Sequence, residues 1–296
     1  MSQTRNRWLI NIVLLLAVIA FIGFSMFPLI SSAFKESPGA TIATPASGQK
    51  PDVGEKSKLQ EQAHGYELVL QREPENQTAL QGLAQARLQL RDLKGAIAPL
   101  EKLAALNPNR TDYTLLLAQL KQYSGDHEGA AQTYRSVLAT KPGNVDALSG
   151  LTKLLLQQQH PEAAIGLLQD TLKTASQSNQ IQPGSVDVAS VQLLLGEVYA
   201  TQKRYDEAIA IYEQAIKEAK QDFRPVLAKA VVLKTQGKTE QAKPLFENAA
   251  ALAPAQYKER INQMATEAPL GAVLGRGAGG AGGAGGAGGA EKKPHG

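Results

Sequence analysis

The stretch "LLLGEVYATQKRYDEAIAIYEQAIKEA", Leu193 to Ala219, decides the fold. In its second half Tyr205, Ala208, Ile209, Tyr212, Ala215, Ile216 and Ala219 follow three- and four-residue steps, which gather them on one side of a helix. Asp206 and Glu207 stand near the start of that helix and Lys217 and Lys220 near its end, the arrangement favoured by the helix dipole. Acids, bases and tyrosines are ingredients a catalyst could use. Here each has a structural explanation, because the apolar residues form a packing face and the charges solubilise and cap the helix.

Working outward, the same pattern recurs. Pro74, Pro108 and Pro142 are spaced at 34-residue intervals, as are Ala96, Ala130 and Ala164, and Leu100, Tyr134 and Leu168. After Ala164 the period breaks by ten residues, and "QSNQIQPGSVD" (Gln177 to Asp187) supplies the excess. The rhythm resumes with Ala208 to Ala242, Tyr212 to Phe246 and Ala215 to Ala249. Each unit predicts two amphipathic helices joined by a turn, with Gly125 and Gly237 placed at turns. Alanine at 96, 130, 164, 208 and 242 lets the two helices of a unit approach closely, and the larger residue four positions later fills the groove between units. A lone helical hairpin cannot bury its apolar face, so stability must come from stacking neighbours into a solenoid.

At this point the resemblance becomes specific. Leu195, Gly196, Tyr199, Ala208, Tyr212 and Ala215 resemble the tetratricopeptide-repeat signature L-G-x-x-Y followed by A-x-x-x-F/Y-x-x-A, with Gln192 in place of the usual tryptophan. Four further units, starting near Gln77, Thr111, Val145 and Phe223, match less fully; Arg87 and Lys121 replace the first-helix tyrosine. The resemblance implies an all-α, right-handed superhelical solenoid. Its expected parts are a leading half-repeat over 59–76, repeats over 77–110, 111–144, 145–188, 189–222 and 223–256, and a capping helix over 255–268.

The flanks differ in composition. From Trp8 to Phe27 the chain is apolar, interrupted by Asn11 and Ser25. About 20 such residues match a bilayer core, so 1–28 predicts a single-pass membrane anchor. A signal peptide ending near Ser31-Ser32-Ala33 is the competing reading, but its apolar region would span only about 7–15 residues. Residues 29–58, rich in Ser, Pro, Gly and Lys, predict a flexible linker. Residues 269–296 predict a Gly/Ala-rich disordered tail. Gly275, Gly277 and Gly280 formally fit G-x-G-x-x-G, but more glycine follows where a dinucleotide site needs a helix.

Composition narrows the chemistry. The chain has no cysteine, which excludes disulfides, thiolate metal sites and a cysteine nucleophile. The net charge of +4 is spread along the chain with no basic block, so nucleic-acid binding is not expected. Of the four histidines, His127 and His160 fall in predicted turns, His64 on the leading helix and His295 in the tail; none pairs at metal-ligand spacing. No nucleophile elbow or phosphate loop occurs. The sequence therefore predicts no enzyme, no cofactor and no metal.

The family resemblance implies that first helices line a concave protein-binding groove. Carried onto this chain, that groove holds Gln81, Gln85, Asp112, Gln119, Tyr123, Asp146, Lys153, Gln157, Glu197, Arg224 and Lys234. Repeats that clasp chaperone carboxylates resemble one another in a Lys/Asn clamp, and the corresponding places here hold Gln81, Gln85, Gln119, Asp146 and Gly150. That role is not expected, and the Gln-rich, mixed-charge face suggests a polar helix or extended segment as ligand. The layout resembles membrane-anchored tetratricopeptide proteins of cyanobacterial thylakoids. This implies a scaffold for chlorophyll synthesis or photosystem assembly, with the light-dependent protochlorophyllide oxidoreductase or assembly components as partners. The alternative is a cell-envelope protein for secretion, cytochrome maturation or wall assembly, on the plasma membrane with its solenoid outside the cytoplasm. Arg5 and Arg7 before the span weakly favour an external solenoid, whereas the oxidoreductase partner requires a cytoplasmic one.

Overall fold

The computed structural model describes residues 53–266. The anchor segment, most of the linker and the Gly-rich tail lie outside them. The described residues form twelve α-helices and no strand. They are α1 (Val53–Arg72), α2 (Gln77–Gln89), α3 (Leu93–Leu106), α4 (Thr111–Tyr123), α5 (His127–Thr140), α6 (Val145–Gln157), α7 (Pro161–Ile181), α8 (Val188–Thr201), α9 (Tyr205–Glu218), α10 (Phe223–Thr235), α11 (Thr239–Leu252) and α12 (Ala255–Thr266). None is long and apolar enough to cross a membrane. The helices fall into two compact units, α1–α9 and α10–α12.

Each hairpin turn is built the same way. The residue at the fifteenth place of every unit has a left-handed backbone: Arg91 (φ 59°), Gly125 (89°), Gln159 (63°), Lys203 (61°) and Gly237 (79°). There the following amide reaches back to the first helix, Asp92 to Arg87, Asp126 to Lys121, His160 to Leu155, Arg204 to Tyr199 and Lys238 to Leu233. This is the Schellman closure, which satisfies carbonyls that a helix end leaves open. Side-chain caps then start many of the helices. Asn76, Asp92, Asp126, Asn144 and Asp187 each accept a hydrogen bond from the amide three residues on.

The predicted alanines are the tightest points. Ala96, Ala130, Ala164 and Ala208 are fully buried, and Ala242 nearly so. The residue four places later fills the space between helices, and its size is matched by its neighbours. A Cβ on Gly82 would strike the Tyr66 ring, one on Gly150 the Tyr134 ring, and one on Gly196 the Tyr212 ring. Where that place holds Leu100 instead, the facing helix carries Leu116 at the position equivalent to Gly82 and Gly150. Burial lifts the Tyr134 phenol to about 12 and raises that of Tyr212 as well, so both stay neutral.

The two departures from the family tyrosine also have a structural role. Arg87 pairs with Glu67 on α1 as well as Asp92, and Lys121 pairs with Glu101 on α3 at 2.9 Å. At the same place in a later unit, the Tyr199 hydroxyl accepts from Gln169 of α7 at 3.1 Å. A polar rung thus ties the first helix of one unit to the second helix of the unit before. Gln192, in place of tryptophan, is buried and donates to Glu218 at 3.1 Å.

The ten-residue excess is more ordered than a loop extension. Helix α7 runs for 21 residues where α3, α5, α9 and α11 have 14. Thr171 and Ala175 keep the buried stripe going, which extends the helix. The chain then returns through a staple: Asn179 accepts from the Val186 amide and donates to its carbonyl, both at 2.9 Å. Val186 is buried, and the Ser185 carbonyl lies against Gly143 in the turn before α6.

Candidate functional site

The first helices of the α1–α9 unit form its candidate binding face. Helix α4 packs on α6 and α6 on α8, in addition to the second helices between them, and among the described residues no two second helices meet as extensively. The first helices therefore converge on the inner side. Residues at the second, fifth, ninth and thirteenth places of α2, α4 and α6, with Glu197 at the tenth place of α8, belong to that side, because steps of three and four residues share one face.

Gln81, Gln85, Asp112, Gln119 and Glu197 are half-buried there, while Tyr123, Asp146, Lys153 and Gln157 are exposed. Tyr123 is 76% exposed, the most of any tyrosine described. Several are brought together. Gln81 of α2 donates to the Tyr113 hydroxyl of α4, and Gln122 of α4 donates to the Gln157 carbonyl of α6 at 2.9 Å. Asp112 is paired with Arg110 at 2.7 Å, and that guanidinium lies 4.6 Å from the centre of the Tyr113 ring. Equivalent positions down the face read Gln85, Gln119, Lys153 and Glu197. Carboxamides line one end, and a cation and an anion the other. Burial pushes the Glu197 carboxyl up to about 7, and the Lys153 charge offsets that only in part.

The two remaining candidates lie in the α10–α12 unit. Arg224 is half-buried and folded onto its own helix cap, bonded to Asp222 at 2.7 Å. Lys234 is buried rather than displayed in a groove. Its ammonium donates to the Met264 and Ala265 carbonyls at the end of α12 and lies 5.5 Å from the Phe246 ring centre. A cation at a helix C-terminus satisfies open carbonyls and complements the dipole, so this lysine fastens the capping helix. Sequence reasoning missed Gln122 and Tyr113, whose roles depend on partners 32 to 35 residues away. Among the described residues no group of histidines and carboxylates is placed to hold a metal.

Tetratricopeptide-repeat family models match residues 123–185 and 189–222. The chloroplastic protein SLOW GREEN 1 of Arabidopsis thaliana is 28% identical over 190 residues, covering 64% of this chain and 59% of that protein. Cellulose synthase operon protein C of Pseudomonas fluorescens (strain SBW25) is 30% identical over 110 residues, 35% of this chain and 8% of that one. The chain thus spans less than two thirds of the length of either curated relative. The crystal structure of yeast Tom70 superposes with a TM-score of 0.51 at 14% identity, covering 77% of this chain and 45% of that one. Residues 123–185 and 189–222 thus match tetratricopeptide repeats, and the superposition on Tom70 shows that the described helices share that fold.

Proposed function

We propose that this chain is a membrane-held scaffold whose first-helix face binds partner proteins and localises or stabilises them, in thylakoid biogenesis, chlorophyll synthesis or photosystem assembly. One observation carries the binding reading: α4, α6 and α8 converge, and α4 and α6 place exposed Tyr123, Lys153 and Gln157 beside half-buried Gln119. Carboxamides both donate and accept, so they suit the alternating N–H and C=O groups of an extended segment. The plastid setting is supported by the similarity to SLOW GREEN 1, which is chloroplastic. Membrane attachment through lipid at residues 8–27 is supported by the apolar run there. The light-dependent protochlorophyllide oxidoreductase and photosystem assembly components are the proposed partners, on the layout of the chain alone. A second reading, a cell-envelope role, draws on Arg5 and Arg7 before the apolar run, which favour an external solenoid.

Co-purification of the full chain from native photosynthetic membranes tests this. The expected result is a defined partner that is retained by the wild type and lost by a Gln119→Arg, Gln157→Arg variant with an unchanged circular-dichroism melt. Equal recovery with both proteins would move binding off this face. Protease protection in sealed vesicles separates the settings: complete shielding of residues 53–266 inside thylakoids contradicts the oxidoreductase partnership.

A further inference from the structure

Glu197 is the least compensated charge on the first-helix face. It sits on α8 one residue after Gly196, where the Tyr212 ring of α9 presses against the helix, and it is half-buried. Among the described residues no N–H or O–H donates to its carboxylate. Lys153 of α6 is the one charged group that bears on it; the Tyr212 phenol of α9 stays neutral, and α7 contributes no charge. Lys153 itself is exposed and acts on Glu197 through its charge, without an ion pair between them. Asp146, also on α6, is exposed and likewise has no ion pair, whereas Asp112 is already matched by Arg110. The face therefore carries two carboxylates without an ion pair against one exposed lysine. A carboxylate taken out of water without donors is costly unless a cation meets it.

From this charge imbalance we infer that the partner is an extended protein segment that places a lysine or arginine side chain against Glu197. The inference rests on the proposed binding role of the first-helix face. A guanidinium or ammonium entering there supplies the missing donors. Because the carboxylate has to be ionised to receive it, affinity follows the ionised fraction of Glu197. That fraction rises roughly tenfold from about pH 6 to about pH 8 for a group titrating near 7.

The test uses the purified full chain and a display library of random ten-residue peptides without histidine. Selection should enrich Lys or Arg at one fixed position. Affinity for an enriched synthetic peptide should rise roughly tenfold between about pH 6 and about pH 8. Glu197→Gln should weaken that peptide about tenfold or more and abolish the pH dependence, since charge-assisted hydrogen bonds are the strong ones. Lys153→Met, at an exposed site, should tighten binding by removing the competing cation. Enrichment of peptides with no basic preference, or affinity unchanged in Glu197→Gln, overturns the inference and leaves the protein-binding role standing. Failure to enrich any peptide that competes at the first-helix face counts against that role itself, and the inference falls with it.

Discussion

Size matching between tyrosine and glycine predicts a compensating pair. Tyr134 is 2% exposed, and a Cβ at position 150 would lie within 3.0 Å of its Cζ, Cε1 and hydroxyl oxygen. Gly150→Leu should therefore overpack the contact between α5 and α6, costing about 3 kcal/mol. Replacing a helical glycine returns about 1 kcal/mol, for a net loss of about 2 kcal/mol. Tyr134→Leu alone leaves a cavity and should cost a further 1–2 kcal/mol, roughly. The preceding unit shows that leucine at both places packs well: Leu100 is 2% exposed with Leu116 packed against the same cluster. The double variant should accordingly lie within about 1 kcal/mol of the wild type, a coupling of roughly 2–4 kcal/mol. Urea denaturation followed by circular dichroism measures this, provided the m-values agree among the four proteins. Losses that simply add, to within about 0.5 kcal/mol, would refute the matching.

Other consequences follow from single residues. The Glu197 carboxyl is raised from 4.5 to about 7, so the folded state holds a proton that the unfolded state has released. Stability from this group is fullest below about pH 4.5 and declines as pH rises to about 7; in Glu197→Gln that decline should vanish from urea midpoints compared at about pH 5 and about pH 8. Lys203 bears a left-handed backbone at φ 61°, so Lys203→Gly should raise stability by about 0.5 kcal/mol, and a lower melting temperature would contradict the turn geometry. Asn179→Ala removes both bonds to Val186, and hydrogen exchange should quicken over residues 177–187 while α2–α5 stay protected.

The repeat itself was legible because its packing residues are close in sequence. Ala208, Tyr212 and Ala215 announce a buried stripe by spacing alone, and the structure buries all three. The left-handed residue of a turn was legible only where it is glycine. Gly125 and Gly237 were readable, whereas Arg91, Gln159 and Lys203 adopt the same left-handed geometry without a compositional signal. The polar rungs were hidden for another reason: Arg87 and Lys121 looked like lost tyrosines until the register set Glu67 and Glu101 beside them. Lys234 occupies a groove position by sequence, but α12 folds over it and its ammonium is used on that helix's carbonyls. The excess near Pro183 carries no helical signal of its own because Gln, Ser and Gly dominate it, while Thr171 and Ala175 lengthen the helix that precedes it.

Whether the first-helix face is where partners bind can be measured directly by placing a photo-crosslinking amino acid at single exposed positions of the full chain in native membranes. Tyr123, Lys153 and Gln157 report on the first helices, and Gln132 and Gln214 on the second. The scaffold account predicts the same discrete protein adduct from the first three and none from the last two. Adducts from Gln132 and Gln214, with none from Tyr123, Lys153 or Gln157, would contradict it.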